Sequence, residues 1–161
     1  MDSGRELFEH ELRDIYDAEH KQARALETMA NKVTEDTLKE ALLTHQQETE
    51  GQIKRLEEVF GLLDRAARRE PCPGINGLIE EYSEFTKEED PSPEILNVFT
   101  AAAAVKAEHY EICGYKSLIQ LAETMQMAEA VTFLQQNLEE EMRTAELMEQ
   151  MSQKLGPTLV A

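Results

Sequence analysis

The chain has 161 residues, which suits one domain, and its 33 acidic residues outnumber its 16 basic residues to give a net charge of −17. This charge disfavours nucleic acid and anionic membrane surfaces as partners. Seven glycines and five prolines are too few for the many turns of an all-β fold, and no apolar run approaches the ~20 residues of a membrane span. We therefore predict one domain over residues 1–161.

Apolar residues recur at intervals of three and four along most of the chain, which is the period of an amphipathic helix. Clusters of glycine and proline separate these runs. The pattern predicts an all-α protein without strands, with helices over residues 4–31, 35–68, 75–88, 93–124 and 127–155. Ser92 followed by Pro93 is typical of a helix start, because serine caps the first turn and proline fits the first helical position.

The connections between the helices predict the topology of a four-helix bundle. Short links join the first long helix to the second and the third to the fourth, so each pair is expected to be antiparallel. Residues 69–92, with their own short helix, are long enough to span the bundle, so the second and third long helices are expected to be parallel. One long crossover is the ferritin-like arrangement, and a plain up-down bundle with a folded-back excursion is the alternative.

Polar residues interrupt the apolar face that each long helix turns toward the bundle centre. They are Glu19, His45, Glu48, Glu108, Glu111 and Glu141. Carboxylates buried together without partners cost several kcal/mol each and repel one another, and lysine and arginine rarely fall on the same faces. Bound cations would compensate the charge, and carboxylates with an imidazole suit iron or manganese.

Taken singly, these residues have simpler explanations. A lone glutamate between apolar residues usually reaches water from the edge of a helix, and His45 alone is more often a hydrogen-bonded core histidine than a ligand. Tyr16, Tyr110 and Tyr115 can bond to carboxylates, although packing is the favoured role. The joint pattern carries more weight, because one carboxylate from each helix at matching depth is typical of a two-metal bundle.

Motifs on all four long helices extend this pattern: Tyr16–Asp17–Ala18–Glu19, His45–Gln46–Gln47–Glu48–Thr49, Glu108–His109–Tyr110–Glu111–Ile112 and Leu138–Glu139–Glu140–Glu141. With these motifs the chain resembles the YciF-type bacterial stress proteins of the ferritin-like superfamily. The resemblance implies a four-helix bundle with an extra short helix, a homodimer and a di-iron centre, with manganese as the alternative metal. Carried over residue by residue, it implies five carboxylate ligands: Glu19, Glu48, Glu108, Glu111 and Glu141.

The chain departs from the related rubrerythrin pattern in one respect. No histidine lies three or four residues after Glu48 or Glu141, so His45 is the one inward imidazole, and the rubredoxin-type cysteine module is absent. Two functions remain. The first is a redox-active di-iron protein that handles peroxide, oxygen or ferrous iron under stress. The second is a non-catalytic stress protein whose carboxylate cluster or metal only stabilises the bundle and the dimer, so the sequence leaves enzyme activity open.

The start of the chain and its cysteines bear on location. Met1–Asp2–Ser3–Gly4 leads into charged residues, unlike a signal peptide, and the two cysteines have neither disulfide-framework nor zinc-site spacing. We therefore expect a cytoplasmic protein.

Overall fold

A computed structural model describes residues 1–160. Its helices are α1 (Gly4–Lys32), α2 (Asp36–Leu62), α3 (Pro73–Glu88), α4 (Pro93–Thr124) and α5 (Ala128–Leu155), followed by a 3-10 segment at Gly156–Val160. No strand occurs among these residues, which confirms the predicted all-α class. Within the same residues, no helix combines the length and apolar character needed to cross a membrane.

Helices α1 and α4 begin at capping serines. The Ser3 side chain accepts a hydrogen bond from the Glu6 backbone N–H, and the Glu6 carboxylate accepts one from the Ser3 N–H in return. At the start of α4, Ser92 caps the helix and Pro93 occupies its first turn, as predicted.

The predicted end of the second helix, at residue 68, is wrong. Helix α2 ends at Leu62, and residues 65–72 form an irregular loop. Asp64 adopts a left-handed backbone conformation with φ of 56°, and the Arg65 N–H donates to the Phe60 carbonyl over 3.1 Å. This Schellman geometry closes the helix. The end of the helix was not evident from the sequence, because an aspartate occupies the left-handed position that glycine usually takes.

The long helices have the crossover connection predicted for a ferritin-like bundle. Helix α1 packs against α2 and α4, and α5 packs against the same two helices from the opposite corner. Thr34 at the end of α1 binds Asn97 at the start of α4, whereas Asp14 near the start of α1 accepts from Tyr110 farther along α4. Helices α1 and α4 are therefore antiparallel. Since the short 33–35 link also makes α2 antiparallel to α1, α2 and α4 are parallel.

The loop before α3 is held against α1 by Asp17, which is buried. Its carboxylate accepts hydrogen bonds from Arg69 Nε over 2.8 Å and from the Cys72 backbone N–H over 2.9 Å, and it pairs with Lys21. This group of contacts, named the Asp17 anchor below, fixes the start of the crossover.

Two apolar clusters occupy the two ends of the bundle. One contains Phe8 and Leu56, and the other contains Leu26 and Met148. On α1 the residue between these ends is Glu19, so a polar layer lies between two apolar layers in the centre of the bundle.

Candidate metal centre

Five polar side chains from all four long helices lie in this central layer with at most 2% of their surface exposed. They are Glu19 on α1, His45 on α2, Glu108 and Glu111 on α4, and Glu141 on α5. We call them the central cluster. They meet in the middle part of the bundle, because each lies near the middle of its helix.

His45 and two carboxylates form one side of the central cluster. His45 Nε2 lies 3.1 Å from Glu108 Oε2 and 3.6 Å from Glu141 Oε2. One potential ligand atom from each of the three residues falls within 4.8 Å of the others. Thr144 Oγ1 lies 3.2 Å from His45 Nδ1, and Gln22 Nε2 donates to Glu108 Oε1 over 3.4 Å. These outer contacts orient the imidazole and one carboxylate.

Glu19 and Glu111 are the remaining carboxylates and form the other side, where burial and the charge of Glu19 raise the pKa of Glu111. The Tyr115 hydroxyl donates to Glu19 Oε1, and Asn137 Nδ2 donates to the same hydroxyl over 2.9 Å. Tyr115 therefore bonds to a carboxylate as well as packing, and so does Tyr16, whose hydroxyl donates to Glu57 over 2.9 Å. Hydrogen bonding to carboxylates, the alternative to the favoured packing role, therefore occurs at Tyr16, Tyr115 and also Tyr110, which donates to Asp14.

Glu48 lies outside the central cluster. Its side chain is 36% exposed, and its Oε2 is 3.6 Å from His45 Nδ1, the nitrogen that faces away from Glu108 and Glu141. Its other oxygen is 3.9 Å from Arg143 Nη2. The structure thus brings together five of the six residues singled out from the sequence and places Glu48 at the rim.

Most oxygens of the central cluster lack a hydrogen-bond donor within residues 1–160. These buried atoms are Glu19 Oε2, Glu108 Oε2, both carboxyl oxygens of Glu111 and both of Glu141. Of these atoms, Glu108 Oε2 lies 3.1 Å from His45 Nε2. A buried acceptor without a donor costs about 1–3 kcal/mol, and more if it is charged. Oxygens that face one another without donors suit cations, so the residues present fit a metal site.

The proton affinities of the cluster reflect this shortage of donors. Burial raises the pKa of Glu19 to about 8, although Tyr115 and His45 oppose the shift. Burial and the neighbouring carboxylates also raise the pKa values of Glu111 and Glu141 well above the usual range. Burial alone would lower the pKa of His45, but Glu108 raises it to about 10. Without metal, the cluster therefore retains protons at neutral pH that a cation would displace.

A groove of about 380 Å³ between α2 and α5 connects solvent with His45. Glu48, Arg143 and Thr144 also line it. A small ion or molecule can therefore approach the central cluster on the Nδ1 side of the imidazole.

Comparison with known proteins identifies the family. A family model described as a domain of unknown function, DUF892, matches residues 3–159. The chain belongs to the DUF892 family. Protein YciF of Escherichia coli strain K12 is 36% identical over 140 residues, which cover 86% of this chain and 84% of that protein. The resemblance to YciF-type stress proteins is thereby confirmed.

Solved structures share the bundle. The crystal structure of the E. coli stress protein YciF has a TM-score of 0.91 and 33% identity, covering 98% of this chain and 99% of that one. YcfI from Rhodopseudomonas palustris has a TM-score of 0.89 and 36% identity, covering 92% and 94%. A protein from Xanthomonas campestris pv. campestris, at 18% identity, shares the fold with a TM-score of 0.79.

Three residues of this layer did not stand out as site residues in the sequence. Tyr115 and Asn137 are fully buried and connect α4 and α5 to Glu19. Gln52 is fully buried on α2, and its side-chain amide has no partner in the described chain. The available signal was the position of Gln52 on the apolar face of α2, where a buried amide needs hydrogen-bond partners.

Proposed function

We propose that this YciF-type protein binds two divalent metal ions, with iron as the biological metal and manganese as the alternative, in its central cluster. The observation that supports this proposal is the set of buried carboxyl oxygens that lack hydrogen-bond donors. Four carboxylates carry four negative charges when ionised, and two divalent cations would balance them.

The ligands in this proposal come from both sides of the cluster. His45, Glu108 and Glu141 would hold one ion, and Glu19 and Glu111 would contribute to the other. Glu48 remains a predicted ligand, and in its present position it contacts the outer nitrogen of His45 and can orient the imidazole. Bound iron would supply redox chemistry toward peroxide or oxygen, or the oxidation of ferrous iron.

The surrounding residues would support this chemistry in three ways. The apolar clusters close the central layer toward both ends of the bundle and leave the groove beside His45 as the approach from solvent. Tyr115 and Gln22 fix the orientation of Glu19 and Glu108 through their hydrogen bonds. Glu111 and Glu141 would release protons when a cation binds, so metal affinity should increase with pH.

Thermal melting tests the binding site. At a metal concentration about 100 times the Kd, manganous or ferrous ion should stabilise the wild type by ~2.7 kcal/mol relative to chelated protein. Glu108→Gln should lose most of this gain, because it removes a charged ligand oxygen. Glu139→Gln is the matched control, since Glu139 is exposed on α5 and should keep the gain. Equal gains in all three proteins would place the binding on the acidic surface and contradict the proposal.

The second candidate function is a non-catalytic stress protein in which the metal only stabilises the bundle. It is favoured by the single imidazole in the cluster and by the Tyr115–Glu19 bond, which satisfies one buried oxygen without metal. Anaerobic loading with ferrous iron followed by exposure to oxygen or peroxide distinguishes the two functions. A redox-active centre should give a transient or oxo-bridged absorption band, whereas a structural site should bind iron without one.

Homodimerisation and a cytoplasmic location remain predictions. Light scattering across a concentration series should give twice the mass of the 18.3 kDa chain. A monomer mass throughout would contradict the dimer.

A further inference from the structure

Gln52 is a buried polar side chain without any partner. Its exposure is 0%, and neither Oε1 nor Nε2 has a hydrogen-bond partner in residues 1–160. A carboxamide has two donor hydrogens and an acceptor oxygen, so leaving it unpaired in a dry interior is unfavourable. Gln22, the buried glutamine of α1, donates to Glu108 instead. The unpartnered amide on α2 therefore points to a ligand that the protein chain does not supply.

The position of Gln52 along the bundle associates it with Glu19 rather than with His45. It follows His45 by seven residues, which is about two helical turns, so both lie on the same face of α2. Asn137 Nδ2 donates to the backbone carbonyl of Gln52 over 3.3 Å and also to the Tyr115 hydroxyl, which in turn donates to Glu19. Gln52 therefore lies at the depth of the second side of the central cluster.

The two sides of the cluster differ in their donor atoms. His45, Glu108 and Glu141 supply one nitrogen donor and two carboxylates. Glu19 and Glu111 supply two carboxylates at the other side, where no histidine lies within the described chain. The Gln52 amide oxygen can supply a third donor there, because it is buried without a hydrogen-bond partner in residues 1–160.

We propose that Gln52 is a ligand residue of a second, all-oxygen cation position that it shares with Glu19 and Glu111. This inference rests on the proposed function and adds that the two metal positions are chemically unequal. Imidazole with carboxylates suits iron and zinc, whereas carboxylate and carbonyl oxygens suit manganese and magnesium. The all-oxygen position should therefore select the harder ion of a mixed pair.

Manganous ion is the probe for the number of positions, because electron paramagnetic resonance counts the free ion directly. Anaerobic titration of the wild type should give two bound ions per chain. Gln52→Leu should bind one, because it removes the oxygen donor and leaves His45, Glu108 and Glu141 in place. Gln52→Glu should bind two again. Thr49→Val is the matched control on α2 and should bind two, since the Thr49 hydroxyl is already bonded to the His45 carbonyl.

Melting of the metal-free proteins separates a ligand role from a structural one. Gln52→Leu should melt no lower than the wild type in chelator, because it replaces an unpartnered polar group with an apolar group of similar size. A lower melting temperature would mean that the amide serves the fold, and would overturn the inference. Two bound ions in Gln52→Leu would also overturn the inference. The same holds if Gln52→Leu and the wild type each bind one ion. A wild type that binds no ion would instead contradict the proposed function itself.

Discussion

Asp17 and Glu19 are two residues apart on α1 and both are buried, with exposures of 4% and 0%, yet their surroundings differ completely. The Asp17 carboxylate accepts hydrogen bonds from Arg69 and the Cys72 backbone N–H, and it forms an ion pair with Lys21. Burial would raise the pKa of Asp17, but these donors outweigh it and lower the value. The Glu19 carboxylate accepts a hydrogen bond from the Tyr115 hydroxyl, and burial raises the pKa of Glu19 to about 8.

The difference shows that burial alone does not identify a ligand carboxylate. The Asp17 anchor contains its own cations and donors, so it is complete as a structural element. The central cluster contains acceptors that face other acceptors, so it needs protons or metal ions to be stable. The shortage of donors is therefore the feature that separates the two regions.

Of the substitutions considered, removing the carboxylate of the Asp17 anchor should reduce the stability of the fold most. Asp17→Ala leaves a buried backbone N–H and an arginine without their acceptor, so we expect a loss of about 3 kcal/mol in the free energy of unfolding. Urea denaturation in chelator measures the change. Asp14→Ala is the control, because Asp14 accepts only from the Tyr110 hydroxyl and should lose less. Equal losses would show that the anchor is not a special structural element.

Removing a carboxylate from the central cluster should instead increase the free energy of unfolding of the metal-free protein. Glu111→Leu eliminates two buried oxygens without donors, so the metal-free protein should gain about 1–2 kcal/mol in the free energy of unfolding. The same variant should bind less metal, because one proposed ligand is lost. Calorimetry in chelator and with manganous ion measures both effects. A strong loss of stability without metal would contradict the contrast with Asp17.

The two regions should also respond to pH in opposite directions. The raised pKa of Glu19 means that its contribution is complete below the unfolded value of about 4.3 and is lost as pH rises through about 8. The raised pKa of His45, about 10, acts in the same direction at higher pH. Asp17 contributes above its unfolded pKa of about 3.9, and its contribution is lost as pH falls through its lowered folded value.

Metal-free wild type should therefore melt at a lower temperature at pH 8 than at pH 6. Glu19→Gln should flatten this decline, since it removes one titrating group that faces Tyr115, His45 and Glu108. Calorimetry over this range in chelator measures the slope. An unchanged slope in the variant would show that Glu19 does not titrate there.

The smallest effect is expected at the edge of the Asp17 anchor. Lys21→Met removes one of three partners of Asp17 and keeps the length of the apolar stem, so the loss should be below about 1 kcal/mol. Urea denaturation at low and high salt measures it. A loss as large as that of Asp17→Ala would mean that Lys21, rather than Arg69 and the Cys72 N–H, holds the anchor together.

The fold was largely predictable from the sequence. The spacing of the apolar residues predicted both ends of α4 correctly. It predicted most ends of the other helices to within one or two residues. The end of α2 was the exception, because Asp64 adopts a backbone conformation that aspartate shows only occasionally. The length of residues 69–92 predicted the crossover because a chain segment must span the bundle to connect parallel helices.

The sequence by itself determined which face of each long helix points inward, because helical geometry fixes the direction of a side chain within its own helix. It did not determine whether a residue at the edge of that face, such as Glu48, is buried. Only the tertiary structure decided which of those residues meet partners. On α2, Glu48 lies at the rim while His45, three residues before it, is buried, and Arg69 reaches Asp17 from a loop 52 residues along the chain. Such burial and contacts depend on how the helices and loops pack together, and they cannot be predicted from the local sequence pattern. For that reason the unpartnered amide of Gln52 became visible only in the folded bundle.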